Sequence, residues 1–242
     1  PGPQDDPDGW IPDFSSTDGQ GLWLALYALG YVDHLDWTRS EDDAATWAPR
    51  ATLAEWPHLT RDCDDCQILA RDVAWGPGGT VIVTWSFRDG YEDYVEGPDG
   101  GVYEWHELEV NYAIRSSDGG SSWGELQTLS TGTSPRSGID VETDGQGTWI
   151  VVWSDTDLFM TRSEDDGLSW SEPVVIAVNA APRYSSNTEV RHVTDDRWVI
   201  VFSSSAAVYG TPDTDLVTEE TPKNPPSPYG ESKLIGEWLL SD

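Results

Sequence analysis

One eight-residue phrase occurs three times in this chain, and it limits the fold more than any other feature. Ser163-Glu164-Asp165-Asp166-Gly167-Leu168-Ser169-Trp170 matches Ser116-Ser117-Asp118-Gly119-Gly120-Ser121-Ser122-Trp123, and a weaker copy stands at Ser40-Glu41-Asp42-Asp43-Ala44-Ala45-Thr46-Trp47. The shared pattern, S-x-D-x-G-x-[S/T]-W, is termed the box below. Its short Ser and Asp side chains can accept hydrogen bonds from nearby backbone N–H groups and so hold a tight turn. Gly120 and Gly167 can take φ > 0 without a Cβ clash. Ala44 stands at that position in the first copy, which predicts a distorted turn. Trp47, Trp123 and Trp170 are expected to re-enter a sheet as the first residues of a strand, with large apolar surfaces to bury. The boxes are read as structural devices and not as carboxylate metal sites, and no metal is expected.

The text around each box repeats as well. In the third repeat, 138–144 alternates like a strand, 145–147 makes a turn, and Thr148-Trp149-Ile150-Val151-Val152-Trp153-Ser154 reads as a buried central strand. Residues 157–162 alternate again and lead into the box, and 170–176 closes a fourth strand. The same order runs through 67–74, 80–86, 109–115 and 123–129, and through 21–27, 35–39 and 47–53; a further repeat opens with 188–193 and 197–203. The expected fold is all-β, a partial β-propeller of four-stranded antiparallel blades with about three of them complete. A short α/β-derived C-terminal segment with one helix follows. The boundaries are 1–16 linker, 17–203 blades with an insertion at 88–108, and 204–242 the distinct C-terminal segment.

The chain has 242 residues, with 44 acidic against 13 basic side chains and a net charge of −31. Such a surface repels phosphate backbones and anionic lipid, so nucleic acid and membrane partners are not expected. No apolar run is long enough to span a bilayer as a helix. The opening residues read as mid-protein linker, so the chain is taken as a fragment or processed product. Cys63 and Cys66 are the only cysteines, in Cys-Asp-Asp-Cys. A zinc site needs further ligands of this kind, so a local disulfide or two free thiols are the open alternatives.

The box and its blade resemble the Asp-box (BNR repeat) of sialidase-type β-propellers. That resemblance implies a secreted, cell-surface or periplasmic module. It also implies a catalytic set that this sequence does not match: three arginines for the substrate carboxylate, a Tyr–Glu pair and an acid Asp. The Arg-Ile-Pro-like motif near the start is absent, and Arg39, Arg115 and Arg162 each directly precede a box serine. Three blades are also short of a ring that encircles a pocket. The expected function is therefore glycan or partner binding without complete catalysis; an exo-α-sialidase or other glycoside hydrolase fragment is the related alternative. The insertion carries Tyr91, Tyr94, Tyr103 and Trp105 among carboxylates. Such a set can stack on sugar C–H faces and hydrogen-bond hydroxyls, and it also fits an acidic hairpin stitched by aromatic pairs.

From Val199 onward the text changes. Phe202-Ser203-Ser204-Ser205-Ala206-Ala207-Val208-Tyr209-Gly210 and, later, Pro228-Tyr229-Gly230-Glu231-Ser232-Lys233 resemble the middle of UDP-glucose 4-epimerase and the extended short-chain dehydrogenases. The resemblance places Ser205, Tyr229 and Lys233 at that family's catalytic positions. Tyr is the general acid/base, Lys lowers its pKa and holds the nicotinamide ribose, and Ser bonds the reacting oxygen. It also implies NAD and a cytoplasmic setting for a complete enzyme. The glycine-rich G-x-x-G-x-x-G opening is missing upstream, so no cofactor is expected in this chain. The sequence reads as a chimaera of the two families, not complete as either enzyme.

Overall fold

The computed structural model describes residues 14–28, 34–55, 65–96, 101–132, 138–154, 157–177, 188–194 and 196–202, and parts of the C-terminal segment between 206 and 234. Three four-stranded antiparallel sheets follow one another along the chain. The first holds β1 (Phe14–Thr17), β2 (Trp23–Tyr27), β3 (His34–Ser40) and β4 (Ala51–Glu55). The second holds β5 (Asp65–Trp75), β6 (Val81–Val95), β7 (Val102–Ser116) and β8 (Gln127–Gly132). The third holds β9 (Ile139–Thr143), β10 (Trp149–Ser154), β11 (Leu158–Ser163) and β12 (Val174–Ala177). In each, spatial order equals chain order. β13 (Thr188–Thr194) and β14 (Arg197–Phe202) form a two-stranded sheet after them. β1 begins inside the stretch read as linker, because Phe14 to Thr17 pair with Leu26 to Trp23.

The first strands touch one another in series, β1 with β5, β5 with β9 and β9 with β13. The sheets therefore stack as blades around a shared inner side, which is a partial propeller. The second strand of each blade is buried on both faces, as its run of apolar residues requires. Val81, Val83 and Trp85 of β6 pack with Leu24 and Leu26 of the first blade, whereas Ile82 packs with Trp149, Val151 and Trp153 of the third. Ile150 and Val152 turn the other way and pack with Val190, Trp198 and Ile200. Alternate side chains of one strand thus bind two neighbouring blades.

The turn into each second strand is also encoded locally. Thr17-Asp18-Gly19-Gln20-Gly21 and Thr143-Asp144-Gly145-Gln146-Gly147 are identical pentapeptides. The Asp18 and Asp144 carboxylates accept the N–H groups two and four residues on, at the same 2.7 and 3.0 Å in both copies.

The fourth strands correct the sequence expectation. They begin at Ala51, Gln127 and Val174, after the box tryptophans and not at them. The residue following each tryptophan is first tied back to the third strand. Ala48, Gly124 and Ser171 donate to the carbonyls of Arg39, Arg115 and Arg162 at 2.8–2.9 Å. Pro49 and Pro173 lack an N–H and delay the next ladder in two of the three blades. The tryptophans stay half-buried, and Trp123 packs edge-on against Trp37 at 5.4 Å between centroids.

In the C-terminal segment, Ala206–Tyr209 is a short 3-10 turn with Val208 buried. Gly230, Glu231 and Leu234 are helical. Ser227 starts that helix: its Oγ accepts from Gly230 N–H at 3.2 Å and its carbonyl from Glu231 N–H at 2.9 Å.

Candidate functional site

The three box turns superpose bond for bond. Ser40, Ser116 and Ser163 donate their hydroxyls to Asp42, Asp118 and Asp165 at 2.8 Å. The same hydroxyl oxygens accept the N–H of Ala44, Gly120 and Gly167 at 2.8–3.0 Å. Each Asp also accepts the N–H and hydroxyl of Thr46, Ser122 or Ser169. Hydrogen bonds from those hydroxyls, then from those N–H groups, hold all three carboxyls down to a pKa of about 2. Each carboxylate accepts three hydrogen bonds from its own turn, two at Oδ1 and one at Oδ2, which assigns it to holding that turn.

The first turn is not distorted, contrary to the expectation from Ala44. Ala44 adopts φ 64°, close to 77° at Gly120 and 80° at Gly167. The cause of its tolerance is its neighbours. A Cβ at Gly120 would sit 3.0 Å from Leu24 Cδ1 of the preceding blade, and one at Gly167 would run into Ile82 Cδ1. Ala44 belongs to the first of the described blades, so among the described residues no preceding blade stands against it.

Removing the Asp165 carboxylate by Asp165→Ala is expected to lower Tm by roughly a few degrees. Ligand affinity should be unchanged, which thermal unfolding and a binding titration on the same preparation would check. The carboxylate's contribution is present above the ordinary carboxylate range and is lost as pH falls toward about 2.

The inner side of the blades holds a second acidic series that the motif reading missed. Asp72 in β5 and Asp140 in β9 are at equivalent positions, and each reaches into the next blade. Asp72 Oδ2 accepts Val141 N–H at 2.9 Å, and Asp140 Oδ2 accepts Val190 N–H at 2.7 Å. Arg191 Nη1 lies 3.2 Å from Asp140 Oδ2 and 3.8 Å from Glu142, while its Nη2 lies 3.3 Å from Glu189. Burial first, and then the Asp72 charge, push the Asp140 carboxyl up to about 8, against the opposing pull of Val190 N–H and Arg191. A raised carboxyl in a cluster of charges can mark a site of proton chemistry. Here the backbone partners identify a clasp between blades. A sequence signal existed: an acidic residue followed by Val recurs as Asp72-Val73, Asp140-Val141 and Glu189-Val190. Among the described residues no group of three or more His, Cys, Asp or Glu could hold a metal ion.

The insertion forms the outer half of one long hairpin, with β6 and β7 paired without a break from Val81↔Ser116 to Val95↔Val102. Tyr94 and Tyr103 face each other across it, rings edge-on at 5.3 Å, and are 55% and 71% exposed. Gly101 leaves the space that the Tyr94 ring fills. Tyr91 and Trp105 belong to β6 and β7, in register with His106 and Glu92; their side chains fall outside the described residues. At the base of the hairpin Asp89 and Glu109 are buried. Cys66 is disulfide-bonded, and Cys63, the other cysteine of the sequence, lies outside the described residues. Ser205, Tyr229 and Lys233 lie outside them too.

Comparison with known proteins divides the chain at its C-terminal third. The family model described as GDP-mannose 4,6 dehydratase matches residues 172–242. UDP-glucose 4-epimerase of Bacillus subtilis is 54% identical over 43 residues, and that of Bifidobacterium longum 57% identical over 44. In each case the match covers 18% of this chain and 13% of the relative, so the chain spans a small part of those enzymes. Among solved structures, α-L-arabinanase of Penicillium chrysogenum aligns with a TM-score of 0.43 and 16% identity, covering 77% of this chain and 50% of that one. A sialidase of Trypanosoma rangeli aligns with a TM-score of 0.31 and 12% identity, covering 81% and 44%. The chain thus joins consecutive four-stranded blades to a C-terminal segment similar to UDP-glucose 4-epimerases.

Proposed function

We propose that the blades form a secreted, non-hydrolytic module of the sialidase-type Asp-box class that binds neutral glycans. The Tyr94–Tyr103 pair carries this reading: two aromatic side chains exposed at the end of a hairpin anchored in a buried blade. An edge-on pair leaves one ring face open, and a sugar C–H face can stack there. Residues 89–108 hold seven Asp and Glu and no Lys or Arg. These carboxylates accept hydrogen bonds from hydroxyls and repel a sialic acid carboxylate, which favours an uncharged sugar. Two arginines that a sialidase site would need for its substrate carboxylate are committed elsewhere. Arg39 donates to Gly119 O and Arg115 to Asp166 O, both in box turns. The disulfide at Cys66 fits an oxidising compartment.

The test is a titration of the full chain with neutral oligosaccharides and with sialyllactose, followed by tyrosine and tryptophan fluorescence. Tyr103→Ala and Tyr94→Ala are each expected to weaken neutral-sugar binding about tenfold, on the order of 1.4 kcal/mol, with Tm unchanged. Absence of binding to any neutral sugar, or binding indifferent to both substitutions, overturns the reading.

The epimerase-like segment supports a second reading, a fragment of an NAD-dependent sugar-nucleotide epimerase in which Ser205, Tyr229 and Lys233 would carry proton transfer. The missing glycine-rich loop weighs against it, since the pyrophosphate would have no cradle. Calorimetry with NAD decides: micromolar binding would favour this reading over the first.

A further inference from the structure

We infer that the open edge of β14, together with Arg162, is a docking site for a β-strand that ends in a box turn, supplied by another polypeptide. The inference rests on a relay that repeats from blade to blade. The arginine before each box serine reaches forward to the next blade's box. Arg39 Nη1 donates to Gly119 O at 3.2 Å and also to Ser121 Oγ. Arg115 Nε donates to Asp166 O at 2.5 Å, and its Nη2 lies 2.5 Å from Asp166 Oδ2. Gly119 and Asp166 occupy the same place in their boxes, the residue before the glycine, so the acceptor carbonyl is equivalent in both. Arg162 is the third member of the series. The sequence carries no fourth box for it to meet. Its described ion pair is with Glu164 of its own box, at 3.3 Å. Arg39 keeps the corresponding pair with Glu41 while it also reaches the second box, so the local ion pair does not compete with the forward contact. Exposure follows the same logic: the Arg39 and Arg115 side chains are 16% and 18% exposed, and Arg162 is 39% exposed.

The fourth sheet supplies the rest of the site. β13 and β14 are the first two strands of a blade. Val190 N–H binds Asp140 just as Val141 N–H binds Asp72, which fixes β13 as the counterpart of β9. In the three complete blades the far edge of the second strand is covered by a third strand, β3 on β2, β7 on β6 and β11 on β10. That third strand always enters in one register, with the box serine opposite the first residue of the second strand: Ser40↔Trp23, Ser116↔Val81 and Ser163↔Trp149. Among the described residues β14 pairs only with β13. Its outer N–H and C=O row, unpaired with any other strand among the described residues, is a template for one more strand. A strand laid there in the repeated register brings its box turn to the start of β14. In the preceding blades that is where the forward arginine meets the box carbonyl. The edge supplies backbone hydrogen bonds, and Arg162 selects for the box.

The probe is a fluorescent peptide of this chain's residues 157–177, which carry β11, the third box and β12. Its binding to the full chain is read by anisotropy. Saturable binding is expected, weakened at least about tenfold by Arg162→Ala and by less with Arg162→Lys, and weakened at least about tenfold by Asp165→Ala in the peptide. The peptide-side substitution tests the idea even if the Arg162→Ala chain fails to fold. No saturable binding to the wild-type chain overturns the inference. Equal binding by the Arg162→Ala chain, or by the Asp165→Ala peptide, overturns it as well.

Discussion

Gly167→Ala is expected to destabilise the chain by about 2–4 kcal/mol, whereas Ala44→Gly at the equivalent position should change stability by less than about 1 kcal/mol. The two sites share a backbone conformation, φ 80° and 64°, and the same hydrogen bond from the box serine. Strain in the left-handed region therefore costs each about the same. The difference is the wall. The new methyl at 167 would drive into Ile82 Cδ1, and Ile82 is held in the core between the second and third blades by Trp149 and Val151. Relief requires the two blades to move apart, and close-packed interiors resist that. Urea unfolding of both variants checks the contrast. Effects equal in size and opposite in sign at the two positions would show that local strain alone decides, and that the box glycine has no part in blade packing.

That contrast shows which features the sequence carries and which it hides. The boxes, the second strands and the hairpin turns are legible because each depends on residues close in sequence. Ser, Asp and Gly at fixed offsets close a turn by themselves, and the β-branched and aromatic run Trp149 to Ser154, bounded by turn residues, reads as a strand buried on both faces. The intact first turn was not legible. Whether Ala44 is tolerated depends on what stands against it from another blade, and no local pattern records that. The start of the fourth strands was misplaced for a related reason. Trp123 looks like a strand residue, yet the Gly124 bond to Arg115 O holds the chain in a crossing before β8 can begin. The inner acids lay in plain view as a repeated acidic-Val pair. Their role became visible only when Asp72 and Asp140 were found on backbone N–H groups of the following blade. The hairpin at 88–108 was legible as an aromatic and acidic insertion, and its pairing as a direct extension of β6 and β7 followed from the fold.

The Asp140 clasp makes stability depend on pH in a direction opposite to that of the boxes. The Asp140 carboxyl is raised above its ordinary value of 3.8 to about 8, by burial first and by the Asp72 charge second. A group raised in the folded state favours folding most when it is protonated in both states. Its contribution is complete below the ordinary carboxylate range and is lost as pH rises toward about 8. The groups that face it act in both senses: Asp72 opposes its ionisation, whereas Arg191 and Val190 N–H favour it. Arg191 is itself shared with Glu142 and Glu189. Asp140→Asn keeps an oxygen for Val190 N–H and removes the proton equilibrium. The variant is expected to match the wild type near pH 3 and to exceed it by on the order of 2 kcal/mol or more near pH 8. Self-repulsion of a chain with net charge −31 also grows with pH, but it acts almost equally on both proteins, so their difference isolates the clasp. Urea midpoints at several pH values between 3 and 8 read that difference directly. Parallel curves would mean that Asp140 is ionised throughout, with Arg191 strong enough to hold it charged against Asp72.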